Sequence, residues 1–164
     1  IVLTGGPDPD ERAYVAAIAK TLPGAVDLSG KLSLAETSCV LSQARLYIGP
    51  DTAVTHIAAA LDTPLVALFG PTDPVKWGPW PAGISGKSTP WRRLGSQRAE
   101  KVVLLQGSGM CVPCMHEGCE RNTGSLSDCL QQLPASRIIA AATVLLKEPR
   151  MSTTQLNPHA HPIR

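Results

Sequence analysis

Residues 45–61 read RLYIGPDTAVTHIAAAL, and this stretch decides the fold class. The apolar run at 46–48 is typical of a short buried strand, and the Gly-Pro pair at 49–50 ends it. Apolar residues then recur with the period of one helix face: Val54, Ile57, Ala58 and Leu61. The stretch therefore predicts a strand, a tight turn and a helix.

The start of this helix is a candidate binding site. Asp51 stands at the predicted N-cap, and His56 lies one turn after Thr52, so these side chains share a face. The first amides of a helix lack partners and carry the positive end of its dipole, which suits a phosphate, and the small Ala53 leaves the backbone accessible. Two interpretations stay open: a phosphate site, or an Asp51 cap that satisfies the amides beside a structural histidine.

A second apolar run, LVALF at residues 65–69, is typical of a central parallel strand. The loop GPTDP at 70–74 follows it, and ligands of open α/β sheets bind at such carboxyl ends of strands. Thr72 and Asp73 in this loop are candidates to contact a ligand, or to hold the loop through an Asx turn.

The rest of the chain repeats the alternation of strand and helix. Strands are predicted at 1–4, 25–28 and 101–105, and helices begin near Asp8, after Ser33 and after Pro134. Glu36 stands three residues after Ser33, which is the spacing of a capping box. The alternation predicts an α/β fold with a parallel sheet and helices on both faces, with the loops that follow the strands gathered along one edge.

The linked motifs at 51–60 (DTAVTHIAAA) and 64–74 (PLVALFGPTDP), with WGP at 77–79, resemble the heptosyltransferases of glycosyltransferase family nine. These enzymes build the inner core of lipopolysaccharide, and the resemblance runs from residue 1 to about residue 146. It implies a Rossmann-like domain, the carboxyl-terminal half of a GT-B type glycosyltransferase. It also implies an ADP-heptose donor and a lipid A–Kdo acceptor.

The resemblance implies roles for the residues at the helix start. The amides of Thr52 and Ala53 would hold the diphosphate, and Asp51 would orient their turn. His56 would donate to a phosphate oxygen and stabilise charge as the sugar–phosphate bond breaks. This chemistry requires no metal ion or other cofactor.

Three further residues have expected roles in donor binding. In the family an acidic residue near Glu36 binds the nucleotide ribose, although the capping box explains Glu36 equally well. Thr72 and Asp73 are expected on the sugar side of the donor.

The expected domain organisation follows from the same resemblance. Residues 1–148 are predicted to form the nucleotide-sugar-binding domain, and residues 149–164 a disordered tail. The amino-terminal acceptor domain, with the Asp that serves as general base in the family, is expected to lie outside this chain, which begins directly in a strand. We therefore expect the chain alone to bind nucleotide without transferring sugar, and the lipid-linked saccharide to be reached through the missing domain.

The loop at 107–130 contains a group of cysteines. They are Cys111, Cys114, Cys119 and Cys129. The first pair has the spacing of zinc ligands, so a structural zinc is one candidate, but the second pair lacks that spacing. Reduced structural thiols and a disulfide are the alternatives.

Composition restricts the remaining functions. The net charge of +2 over 164 residues is too small to indicate a nucleic-acid partner. No apolar run has the length of a membrane span, so a cytoplasmic location is expected, with any contact to the inner membrane made through the missing domain. The alternatives are a UDP-sugar transferase or epimerase of the same architecture, and a non-catalytic zinc-stabilised binding module.

Overall fold

The computed structural model describes residues 1–122 and 124–149 of the chain. The predicted tail lies outside the described residues except for Pro149. The elements follow in chain order: β1 (Val2–Leu3), α1 (Pro9–Thr21), β2 (Val26–Asp27), α2 (Leu34–Gln43), β3 (Tyr47–Pro50), α3 (Ala53–Ala60), β4 (Leu65–Phe69), α4 (Pro74–Trp77), β5 (Gln97–Ala99), β6 (Val102–Gln106), α5 (Asp128–Gln131) and α6 (Ala135–Lys147).

The strands form two sheets within the described residues. The larger has the order β3-β4-β6-β5, in which β3, β4 and β6 are parallel and β5 is antiparallel to β6. Strands β1 and β2 form a separate parallel pair, so the expected sheet is divided. Glu100 has a φ of 50° in the link between β5 and β6, and this left-handed residue lets the chain reverse there. The carboxyl ends of β3, β4 and β6 all lie at one edge.

Side chains of β4 alternate between two cores, because successive residues of a strand point to opposite faces. Leu65, Ala67 and Phe69 belong to one core, against α2 and α3. Val66 and Leu68 belong to the other, which Leu145 of α6 covers. The central strand is therefore buried on both sides, as its near-continuous apolar sequence indicates.

Two helix starts follow local sequence rules. The Asp8 carboxylate accepts from the N–H groups of Asp10 and Glu11, at 3.0 and 3.1 Å, and Pro9 occupies the first turn of α1. At α2, Ser33 and Glu36 form the capping box that their spacing predicts. Both starts place an acidic side chain at the positive end of a helix dipole.

The capping box predicts a contribution to stability that depends on pH. Hydrogen bonds from the backbone N–H and then the hydroxyl of Ser33 hold the pKa of Glu36 below its usual value. Because the folded pKa is lowered, this contribution is complete above the pKa of the unfolded state and is lost as pH falls through the folded pKa. Ser33→Ala should therefore lower the free energy of unfolding at neutral pH, and the deficit should shrink in acid. Urea denaturation across this pH range measures both, and a deficit that is constant with pH would contradict the assignment.

Candidate functional site

The turn between β3 and α3 differs from the prediction at one residue. The N-cap is Thr52, not Asp51, and the Thr52 side chain makes no capping hydrogen bond. Asp51 precedes the N-cap by one residue and does not cap the helix. Its Oδ1 instead lies 3.4 Å from Nε2 of His56. The predicted Asp51 cap is therefore wrong, and the first amides of α3 are left without a side-chain cap among the described residues. This arrangement favours the anion-binding interpretation over the cap.

The imidazole of His56 has one nitrogen engaged and one available. Its Nε2 faces Asp51, while Nδ1 makes no hydrogen bond to any described residue. The His56 side chain is 41% exposed and that of Asp51 20% exposed, so the ring lies at the surface with its carboxylate partner beneath. Asp51 can thus orient the ring while leaving it open to a ligand.

Thr55 fixes the geometry of this turn and was not anticipated from the sequence. It is fully buried, and its hydroxyl donates to the carbonyl of Pro50 and lies 3.2 Å from the hydroxyl of Tyr47. The apolar face predicted for this helix does not include Thr55 and does include Leu61, which is exposed, so the apolar periodicity gave no signal for this role. Through Thr55 the helix start is fastened to the end of β3.

Glu36 has capacity for a second role besides its cap. Its Oε2 accepts from both the backbone N–H and the hydroxyl of Ser33, at 2.8 and 2.7 Å. Its Oε1 accepts no hydrogen bond from any described residue. One carboxylate oxygen is therefore open to a ligand hydroxyl, and the two interpretations of Glu36 are compatible.

The loop after β4 is held chiefly through Asp73. Its Oδ1 accepts from the N–H of Val75 at 3.0 Å, so Asp73 caps α4 in the Asx geometry that was one of its two interpretations. Its Oδ2 lies 3.5 Å from Nε of Arg93. The Thr72 hydroxyl, in contrast, makes no hydrogen bond to any described residue. Thr72 is thus the more available of the two for a ligand.

The segment that contains the cysteines packs against this loop. The N–H of Met115 donates to the carbonyl of Pro71 at 2.8 Å, and the N–H of Asp73 lies 3.1 Å from the sulfur of Met115. A Cβ on Gly70 would lie 2.9 Å from Sγ of Cys129. The segment therefore supports the loop, a contact that the sequence did not reveal.

The cysteines are free thiols in this structure. Burial raises the pKa of the Cys129 thiol, and the neighbouring Cys114 and Cys119 raise it further. Within residues 1–122 and 124–149, no group of three or more His, Cys, Asp or Glu side chains is arranged to hold a metal ion. In the described part of the chain, Cys111 and the other three cysteines are therefore not arranged as a set of zinc ligands.

The fold and the site together define an α/β domain with an open helix start at the carboxyl ends of its parallel strands. The chain belongs to glycosyltransferase family 9, the heptosyltransferase family, whose family model matches residues 1–103. The resemblance noted from the sequence is confirmed by this match.

Curated relatives carry the same description. "Lipopolysaccharide heptosyltransferase 3" of Escherichia coli strain K12 is 36% identical over 151 residues, which cover 90% of this chain and 37% of the relative. Another Escherichia coli protein of that name is 46% identical over 82 residues, 49% of this chain and 24% of the relative. "Lipopolysaccharide heptosyltransferase 1" of Pseudomonas aeruginosa is 35% identical over 109 residues, 66% of this chain and 25% of the relative. The chain thus spans 37% or less of the length of these relatives.

Two solved structures share the fold. The structure of the Escherichia coli "ADP-heptose lps heptosyltransferase II" superposes with a TM-score of 0.62 at 20% identity, over 88% of this chain and 35% of that chain. The family 9 glycosyltransferase of Veillonella parvula gives 0.59 at 20% identity, over 88% and 36%. The predicted fold class is confirmed. None of the described helices is both long and apolar enough to cross a membrane.

Proposed function

We propose that this chain is the donor-binding part of a heptosyltransferase that transfers heptose from ADP-heptose to the lipopolysaccharide inner core, with a lipid A–Kdo acceptor. The observation that carries the proposal is the open start of α3 with His56 and Asp51 beside it. Membership of family 9 supports the reaction class. The Escherichia coli protein that shares the fold is named for ADP-heptose, which supports that nucleotide sugar as the donor.

The proposed chemistry stabilises the leaving diphosphate. The amides of Thr52 and Ala53 donate to its oxygens, and the helix dipole adds positive potential there. With both ring nitrogens protonated, Nε2–H faces Asp51, and Nδ1–H of His56 donates to the oxygen on which charge develops as the sugar–phosphate bond breaks. Asp51 orients His56, which is the role that its 3.4 Å contact supports in place of a cap. No metal ion takes part in this scheme.

The remaining donor contacts are proposed on both sides of the diphosphate. Glu36 accepts from the ribose hydroxyls through Oε1, and Thr72 and Asp73 face the sugar. Residues 1–148 form the donor-binding domain in this proposal. In this proposal the general base and much of the cleft for the lipid-linked saccharide belong to residues outside this chain, at the cytoplasmic face of the inner membrane.

Calorimetric titration with ADP and with UDP tests the nucleotide. We expect ADP to bind more tightly than UDP. Tighter binding of UDP would instead favour a UDP-sugar enzyme of the same architecture. No arrangement of the described cysteines supports the zinc-stabilised module as a second function.

Glu36→Gln separates the two roles of that residue. Glutamine also completes a capping box, so the fold should be kept, while the charged acceptor for the ribose is lost. Because charge-assisted hydrogen bonds are stronger than neutral ones, ADP affinity should fall by about tenfold when the carboxylate is lost. Calorimetry with ADP measures the change.

Ser33→Ala is the matched control, because it removes the cap and leaves the carboxylate in place. It should affect stability more than ADP affinity. Native affinity in Glu36→Gln would exclude the ribose role.

A further inference from the structure

Arg93 presents a guanidinium that no described residue fully engages. Its side chain is 65% exposed, and its Nε lies 3.5 Å from Oδ2 of Asp73 in the loop after β4. Its Nη1 and Nη2 make no hydrogen bond within the described part of the chain. The Nη1 and Nη2 edge of the guanidinium, which can bind a phosphate through two hydrogen bonds, is therefore free.

The turn that carries Arg93 is fixed by a buried side chain. Gln106, the last residue of β6, is 5% exposed. Its Oε1 accepts from the N–H of Gly95 at 2.7 Å, and its Nε2 donates to the carbonyl of Arg93 at 3.3 Å. This buried amide therefore uses both its donor and its acceptor on the Arg93 turn.

A second glutamine fastens the same turn from the side. The Oε1 of Gln97 accepts from the N–H of Arg92 at 2.8 Å, and its Nε2 donates to the carbonyl of Arg92 at 2.7 Å. Fixing the backbone of an exposed arginine lowers the entropy lost when its side chain binds a ligand. The turn is thus suited to presenting Arg93 at a defined place.

The turn that carries Arg93 lies on the sugar side of the proposed donor site. Gln106 pairs with Phe69 at the end of β4, and Leu68 of β4 pairs with Pro50 of β3. Neighbouring strands lie about 4.8 Å apart, so the anchor of the Arg93 turn lies about 10 Å along the sheet edge from the end of β3. The Asp73 loop lies between them.

We propose that Arg93 is a substrate-contacting residue whose guanidinium binds a phosphate group of a saccharide substrate. The proposal rests on the donor site proposed above. The phosphate has two chemical sources, the diphosphate of the donor and a phosphate ester on the acceptor saccharide. Asp73 holds the Nε edge of Arg93, and the phosphate occupies the Nη edge.

Titrations of the full chain with matched probes test this assignment. The probes are ADP-glucose, and a deacylated lipopolysaccharide core oligosaccharide with and without its phosphates. Arg93→Gln should weaken either ADP-glucose or the phosphorylated oligosaccharide by about tenfold, as expected for loss of a charge-assisted hydrogen bond. Arg93→Lys should recover part of that affinity. Arg92→Gln is the control. Gln97 bonds only to the backbone of Arg92, so replacing the neighbouring arginine side chain leaves the hydrogen bonds of the turn in place.

The pattern of losses identifies the source of the phosphate. Weaker binding of ADP-glucose assigns Arg93 to the donor. A loss confined to the phosphorylated oligosaccharide assigns it to the acceptor. If Arg93→Gln binds every probe as the native chain does while ADP still binds, the Arg93 proposal is overturned and the donor site stands. If the native chain binds no ADP, the donor site fails and the Arg93 proposal falls with it.

Discussion

His56→Ala is expected to weaken ADP binding by about ten- to a hundredfold. The variant removes the imidazole proposed to donate to a phosphate oxygen, and a hydrogen bond to a charged group contributes about 1.5–3 kcal/mol. In an enzyme with its acceptor half, sugar transfer should fall further, by about 10²–10³, because the charge on the leaving group grows in the transition state. Calorimetry on this chain measures the first effect.

His116→Ala provides the matched control. His116 is exposed in the segment that contains the cysteines, and it forms no ion pair or hydrogen bond within the described residues. The same histidine-to-alanine change there should leave ADP affinity within about twofold of native. Equal affinities for native, His56→Ala and His116→Ala chains would remove His56 from the site.

Gly107→Ala is expected to destabilise the fold by about 1–3 kcal/mol or more. The N–H of Gly107 donates to the carbonyl of Phe69 at 2.8 Å, which ties the start of the 107–130 segment to β4. A Cβ on Gly107 would lie 2.6 Å from the carbonyl carbon of Cys129, and closer still to its oxygen. Because the obstacle is backbone, no side-chain rotation relieves it. Urea denaturation measures the loss.

Gly86→Ala is the control for that substitution. A Cβ on Gly86 meets no atom within 4 Å, so the free energy of unfolding should change by less than about 0.5 kcal/mol. If the two alanine variants unfold at the same urea concentration, the 107–130 segment does not pack against the sheet as described.

The sequence predicts features that depend on local patterns. The apolar run at 65–69 coincides with β4, since a strand buried on both faces needs apolar residues at every position. Asp8 and the pair Ser33 and Glu36 cap their helices as expected, because a cap is formed within a few residues of chain.

The sequence predicts less well the elements and buried faces that depend on tertiary contacts. Strand β5, with the sequence QRA, is short and polar, and it exists because it pairs with β6. The last helix, α6, has apolar residues on more than one face: Ile139 is 64% exposed, while Ile138 and Ala141 pack against the core. The packing partner of a helix sets the rotation of its buried face, and local periodicity does not specify that rotation.

The site shows the same division between local and distant contacts. The sequence located the helix start and His56, but it placed the cap one residue too early because capping depends on the dihedral angles of single residues. Two contacts of the site join segments that are distant in the chain. Met115 contacts the loop after β4, and Gln106 forms hydrogen bonds with the turn that carries Arg93. No spacing rule along the chain connects such residues.

Backbone amide chemical shifts during an ADP titration test the central claim most directly. We expect the largest changes in chemical shift at the amides of Thr52 and Ala53, with further changes at His56. In His56→Ala, the changes at Thr52 and Ala53 should be absent at the same ADP concentration. Changes confined to the opposite edge of the sheet, around Pro64 and Lys101, would contradict a donor site at the start of α3, as would no change at any amide.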